Sequence, residues 1–118
     1  FLKKNRKINK SFSSKIEKIG FLKSQLHYQL IKGLNNYYLY QIQLISGRHH
    51  QIRAQLSDVG SPIKGDIKYG DKKINKNGSI HLHARSIVFM HPIKKTKVQV
   101  IASPPDDIIW NACINQAS

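Results

Sequence analysis

Residues 45–70, ISGRHHQIRAQLSDVGSPIKGDIKYG, bring Arg48, His49, His50, Gln51 and Arg53 into one short run and follow it with a turn-rich segment that holds Asp66. Arg53 offers the most chemistry. The spacing of Ile52, Leu56 and Val59 predicts a helix with those three on its buried face, and Arg53 falls at the border of that face beside His49. A guanidinium at a half-buried border cannot shed its charge, so it needs a carboxylate or a phosphate opposite it. No acid within the stretch is spaced to meet it, and the expected partner therefore comes from elsewhere. Arg48 sits at the turn into the helix, where a phosphate on free backbone N–H groups and a contact to a loop carbonyl are nearly equal readings. His50 and Gln51 suit bracing of that turn by hydrogen bonds. Asp66, between Gly65 and Tyr69, reads as an Asx-type brace of the loop rather than a nucleophile.

Lys64, Lys68, Lys72 and Lys73 crowd the same loop. Each alone reads as solvated surface; as a set they fit an RNA backbone path. His81 and His83 alternate on an expected strand and share a face, with His91 further on. No carboxylate or cysteine accompanies them at ligand spacing, so no metal is expected and a metal-dependent hydrolase is the weakest of the function classes considered.

The elements that must position these groups follow from periodicity and turn chemistry. Residues 1–12, rich in Lys, Arg and Asn, read as a basic arm or loop leading towards a first strand at Ser11, with a further short strand over 13–19. Alternation over 22–32 and 37–45, joined by turn residues 33–36, predicts an antiparallel hairpin with Tyr28, Tyr38 and Tyr40 as core packing. Residues 71–79 form a basic loop. Strands are expected over 80–90, ended by His91-Pro92, and over 97–102, paired through Lys94-Lys95-Thr96. After Ser103-Pro104-Pro105, Asp106 and Asp107 stand as cap and first-turn acid of a short terminal helix.

The chain has 118 residues and a formal net charge of +14, which points to a polyanionic partner, nucleic acid first. Its one cysteine, Cys113, excludes an internal disulfide and a cysteine-based zinc cluster and suits a buried thiol in a reducing compartment. No apolar run has the length of a membrane span. The first residue is Phe1 rather than Met, which is expected of a piece of a longer chain.

Four motifs in one order carry a resemblance. Gly47-Arg48-His49-His50-Gln51-Ile52-Arg53, then Gly60-Ser61-Pro62-Ile63-Lys64-Gly65-Asp66-Ile67-Lys68-Tyr69-Gly70, then Leu82-His83-Ala84 and His91-Pro92, resemble the second half of the RluA-type pseudouridine synthases. The early LKKN and NKSF segments fit the middle of that family, so the likeness spans nearly the whole chain. Where the family continues R-x-H-L, this chain has Gln55.

The resemblance implies an α/β fold: a mixed, mostly antiparallel sheet, a short helix after the GRHHQIR turn and a short C-terminal helix, together the C-terminal portion of a catalytic domain. It implies isomerisation of uridine to pseudouridine in structured ribosomal or transfer RNA, without metal or redox cofactor, in the cytoplasm. The family's catalytic Asp lies in an H-R-L-D motif that this sequence does not contain, and Arg53 is implied to hold that Asp ionised and oriented. Gly47, Gly65, Asp66 and Tyr69 are implied loop-formers, and the L-H-A strand is implied to pack beneath the site. On this reading the chain alone does not turn over, and splitting the sheet exposes apolar edges that favour self-association. The competing expectation is a non-catalytic basic RNA-binding module.

Overall fold

The computed structural model describes residues 1–34, 37–75, 77–90, 93–95 and 97–117. Three antiparallel two-stranded sheets alternate with two helices: β1 (Leu2–Asn5) with β2 (Lys10–Ser13), β3 (Leu26–Gly33) with β4 (Tyr38–Leu44), and β5 (Ser86–Met90) with β6 (Lys97–Ile101). The helix α1 (Gln51–Asp58) follows β4, and α2 (Ile108–Ala117) closes the chain. The mixed α/β class and both expected helices are present. The single sheet is not: among the described residues the strands form separate hairpins that share no ladder.

Residues 1–12 are not an arm. Leu2 and Ser11 turn inward while Lys3, Lys4, Arg6 and Lys7 are exposed, and the segment closes as a hairpin with Leu2 opposite Ser13 and Asn5 opposite Lys10. Leu22 returns to exchange both backbone hydrogen bonds with Leu2, at 2.8 and 2.7 Å, and the intervening residues 14–21 loop rather than form the expected strand.

The β3–β4 hairpin matches its expected span, with a register shift between Leu30 and Lys32. Its aromatic stripe is not core. Tyr28 and Tyr38 are 67% and 68% exposed, because no second layer of described residues covers that face. Tyr28 and Tyr40 instead pack edge to face, 6.1 Å apart. Asn35 and Asn36 of the expected turn, His91-Pro92 and Thr96 lie outside the described residues. The strand expected over 80–90 begins only at Ser86, leaving Leu82-His83-Ala84 in extended loop.

The buried apolar cluster is small: Leu2, Ala54 and Tyr69 meet where β1, α1 and the loop after α1 converge. The radius of gyration is 16.1 Å, against about 13.5 Å for a compact domain of this length. Much apolar surface is left uncovered as well, Val59 at 70% exposure included. The helix thus presents Ala54 and Gln51 inward, not the Ile52–Leu56–Val59 face. It ends in a Schellman turn: Gly60, at φ +86°, donates to Ser57 O, and Ser61 donates to Leu56 O.

Candidate active site

The turn into α1 is built by Gln51. Its Oε1 accepts from Ser46 Oγ at 2.9 Å and from Arg48 N at 3.0 Å, while Nε2 donates to Gln25 O at 3.0 Å. The bracing role read for Gln51 holds. Arg48 Nε donates to Lys23 O at 3.1 Å, the carbonyl contact among its two readings. Gly47 is outside the left-handed region and an added Cβ would meet nothing within 4 Å, so neither torsion nor space requires a glycine there.

His50 caps α1 in the left-handed region, φ 51°, a conformation that costs a non-glycine residue about 1 kcal/mol or more. Two contacts hold it there: Nδ1 lies 2.8 Å from Tyr69 Oη and Nε2 lies 3.1 Å from Arg53 Nη1. A guanidinium only donates, so Nε2 is the unprotonated nitrogen and Nδ1 carries the hydrogen towards Tyr69. Burial, followed by the Arg53 charge, pushes the His50 pKa down to about 4. His49 stacks on His50 at 3.7 Å and lies between Ser11 Oγ and Asn9 Oδ1; burial and then Lys4 lower its pKa.

Arg53 does find an acid within the stretch, and the contrary expectation is corrected. Its Nε donates to Asp66 Oδ2 at 2.9 Å and its Nη2 to Asp66 Oδ1 at 2.8 Å, a bidentate pair. The loop makes this possible by turning back at Gly65, φ +86°, so that a residue 13 positions on lies against the helix. Asp66 is 1% exposed and Arg53 21%: the carboxylate is sealed beneath a guanidinium whose outer part is open. The hydrogen bonds to Asp66 raise the Arg53 pKa above its ordinary value, outweighing burial.

Asp66 is therefore not an Asx brace, and its side chain caps no backbone group of the turn that follows. That task falls to Asp71, whose carboxylate accepts from Gly65 N at 2.6 Å and Lys72 N at 2.8 Å. Sequence reasoning missed Asp71; its place one residue after Gly70 was the available signal. An added Cβ on Gly65 would lie 2.8 Å from Ser79 O, so this glycine is required twice over, by torsion and by space.

Tyr69 ties three elements together. Its ring lies under Arg53 at 5.0 Å, its Oη accepts from Ser11 N at 2.8 Å, and its carbonyl accepts from Ser57 Oγ. Lys68 donates to Ile8 O and Asn9 O, at 3.3 and 3.0 Å, and Lys64 donates to Asn75 Oδ1. Two of the four loop lysines thus make hydrogen bonds to the fold, and Lys68, Lys72 and Lys73 are exposed.

Away from this network, His81 Nε2 lies 2.9 Å from Asp107 Oδ2, a carboxylate the spacing argument did not bring to it. Asp107 also accepts from Ile109 N and Trp110 N as the cap of α2, and these bonds, the one from His81 foremost, lower its pKa. His81 and His83 both face the Trp110 ring, although they are not on a strand. Cys113 is buried, as expected, and burial raises its pKa. No helix among the described residues is long and apolar enough to cross a membrane.

The hairpin β1–β2, the hairpin β3–β4 and α1 all fall within one family-matched stretch. Residues 2–58, just under half of the chain, match the model of the RNA pseudouridylate synthase family. A Bacillus subtilis protein described as an uncharacterised RNA pseudouridine synthase is 37% identical over 83 residues, covering 70% of this chain and 27% of the relative. The ribosomal large subunit pseudouridine synthase D of Zymomonas mobilis is 33% identical over 90 residues, covering 70% and 28%. The ribosomal large subunit pseudouridine synthase C of Rickettsia prowazekii is 36% identical over 81 residues, covering 67% and 27%. The aligned part of the chain thus spans under a third of the length of these relatives. No solved structure matches the chain.

Proposed function

We propose that this chain supplies the arginine side of the catalytic cleft of an RNA pseudouridine synthase acting on ribosomal RNA. In that isomerisation the C1′–N1 bond of a uridine breaks, the base turns, a C1′–C5 bond forms, the C5 proton leaves and N1 gains one. An Asp from polypeptide outside these 118 residues acts on the uridine, and Arg53 keeps that Asp ionised and oriented. The observation that carries this is the fixed, partly open guanidinium of Arg53 at the end of the GRHHQIR turn, within the family-matched residues. The names of the relatives supply ribosomal RNA as the substrate class.

The net charge of +14 and the exposed Lys72 and Lys73 support phosphate contacts, with Arg48 nearer the turn; His50, whose ring nitrogens are engaged by Tyr69 and Arg53, is left out of that set. The uncovered tyrosine face of β3–β4 supports self-association when the chain is by itself. The test is release of tritium from C5-labelled uridine in large-subunit ribosomal RNA. A protein that joins this chain to an Asp-bearing synthase half should release it, and the Arg53→Lys form should not. Salt-sensitive RNA binding without release in the joined protein would instead select the non-catalytic RNA-binding module.

A further inference from the structure

Arg53 carries five N–H donors in a rigid fork. Asp66 takes the Nε–H and one N–H of Nη2, and His50 Nε2 takes one N–H of Nη1. Among the described residues one N–H on each terminal nitrogen is left, and the side chain is 21% exposed. Asp66 lies wholly beneath, 1% exposed, and cannot be approached by substrate. The Tyr69 ring supports the guanidinium from its face at 5.0 Å. Each neighbour restrains a different part of the group: Asp66 the inner edge, His50 one end, Tyr69 the plane.

We propose that Asp66 is a positioning residue for the isomerisation: it anchors the inner edge of Arg53 so that the two remaining N–H groups meet the carboxylate of the catalytic Asp. Asp66 then does not compete with that Asp. It removes the rotamer freedom a long side chain would otherwise lose on engaging it. The inference rests on the pseudouridine synthase reading above.

The test uses the protein with its Asp-bearing half, comparing wild type with Asp66→Asn, which keeps shape but replaces one acceptor by a donor. Expected are a fall in kcat of about tenfold or more and a KM for RNA within about threefold of wild type, since Asp66 touches no substrate. The acid limb of the kcat profile should move to higher pH, because the catalytic Asp loses a fixed cation. A loss of rate that tracks the folded fraction, with the limb unmoved, overturns the proposal. So does a limb moved to lower pH, which would mean that Arg53 stays put and merely sheds a compensating charge. If Asp66→Asn melts below the assay temperature, Asp66→Glu, which keeps the charge but displaces it, is read in the same three ways. Failure of the pseudouridine synthase reading itself would appear as an inactive wild type or an active Arg53→Lys form, whatever Asp66 does.

Discussion

The 3.1 Å contact between His50 Nε2 and Arg53 Nη1 decides the protonation of His50. Both nitrogens cannot carry hydrogen while a guanidinium donates to one of them, so the folded protein holds a neutral imidazole. Its pKa of about 4 lies below the ordinary 6.5, which means that the unfolded chain takes up the proton first as pH falls. Stability from this group is therefore complete above about pH 6.5 and is lost between there and about pH 4. Denaturation midpoints measured across that window should fall with pH in wild type. They should fall less steeply in His50→Asn, which tolerates the left-handed backbone but does not titrate.

Arg53 and Asp66 should behave as a pair. Arg53→Ala strands a sealed carboxylate and is expected to cost about 3–5 kcal/mol. In Arg53→Ala/Asp66→Ala no charge is left buried, so the double variant should lose less than the sum of the two single losses. Chemical denaturation of the four forms gives the coupling directly; additive losses would mean the pair contributes nothing.

Tyr69→Phe keeps the ring beneath Arg53 and removes only the hydroxyl. The buried N–H of Ser11 and the Nδ1–H of His50 both lose their acceptor. An unsatisfied buried donor costs about 1–3 kcal/mol, and a thermal melt should show a loss in that range.

How much of this was legible in the sequence depends on range. The GRHHQIR turn, α1 and the β3–β4 hairpin follow from local chemistry, alternation and a Gly-terminated helix, whereas the cap of α2 falls one residue later than read, on Asp107 rather than Asp106. What was misread depends on contacts between distant positions. Arg53 seemed to lack a partner because Asp66 is 13 residues away along the chain, and only the left-handed turn at Gly65 brings it back. Ser11 meets Tyr69 across 58 residues, which converts a supposed basic arm into a hairpin packed on the site. Tyr28 and Tyr38 have the period of a buried face, but period cannot say whether a covering layer exists.

Asp107 has two duties that substitutions can separate. It caps α2 through the N–H groups of Ile109 and Trp110, and it accepts from His81 Nε2, joining the loop before β5 to the last helix. Its lowered pKa means that this stability is present above the ordinary carboxylate range and is lost as pH falls through and below it. Asp107→Asn can still cap the helix but offers His81 no charge, so it should cost a few tenths of a kcal/mol to about 1 kcal/mol and flatten the acid side of the stability profile. Asp107→Ala removes cap and partner together and should cost about 1–2 kcal/mol. Equal losses in the two variants would show that the link to His81, not the cap, is what Asp107 contributes.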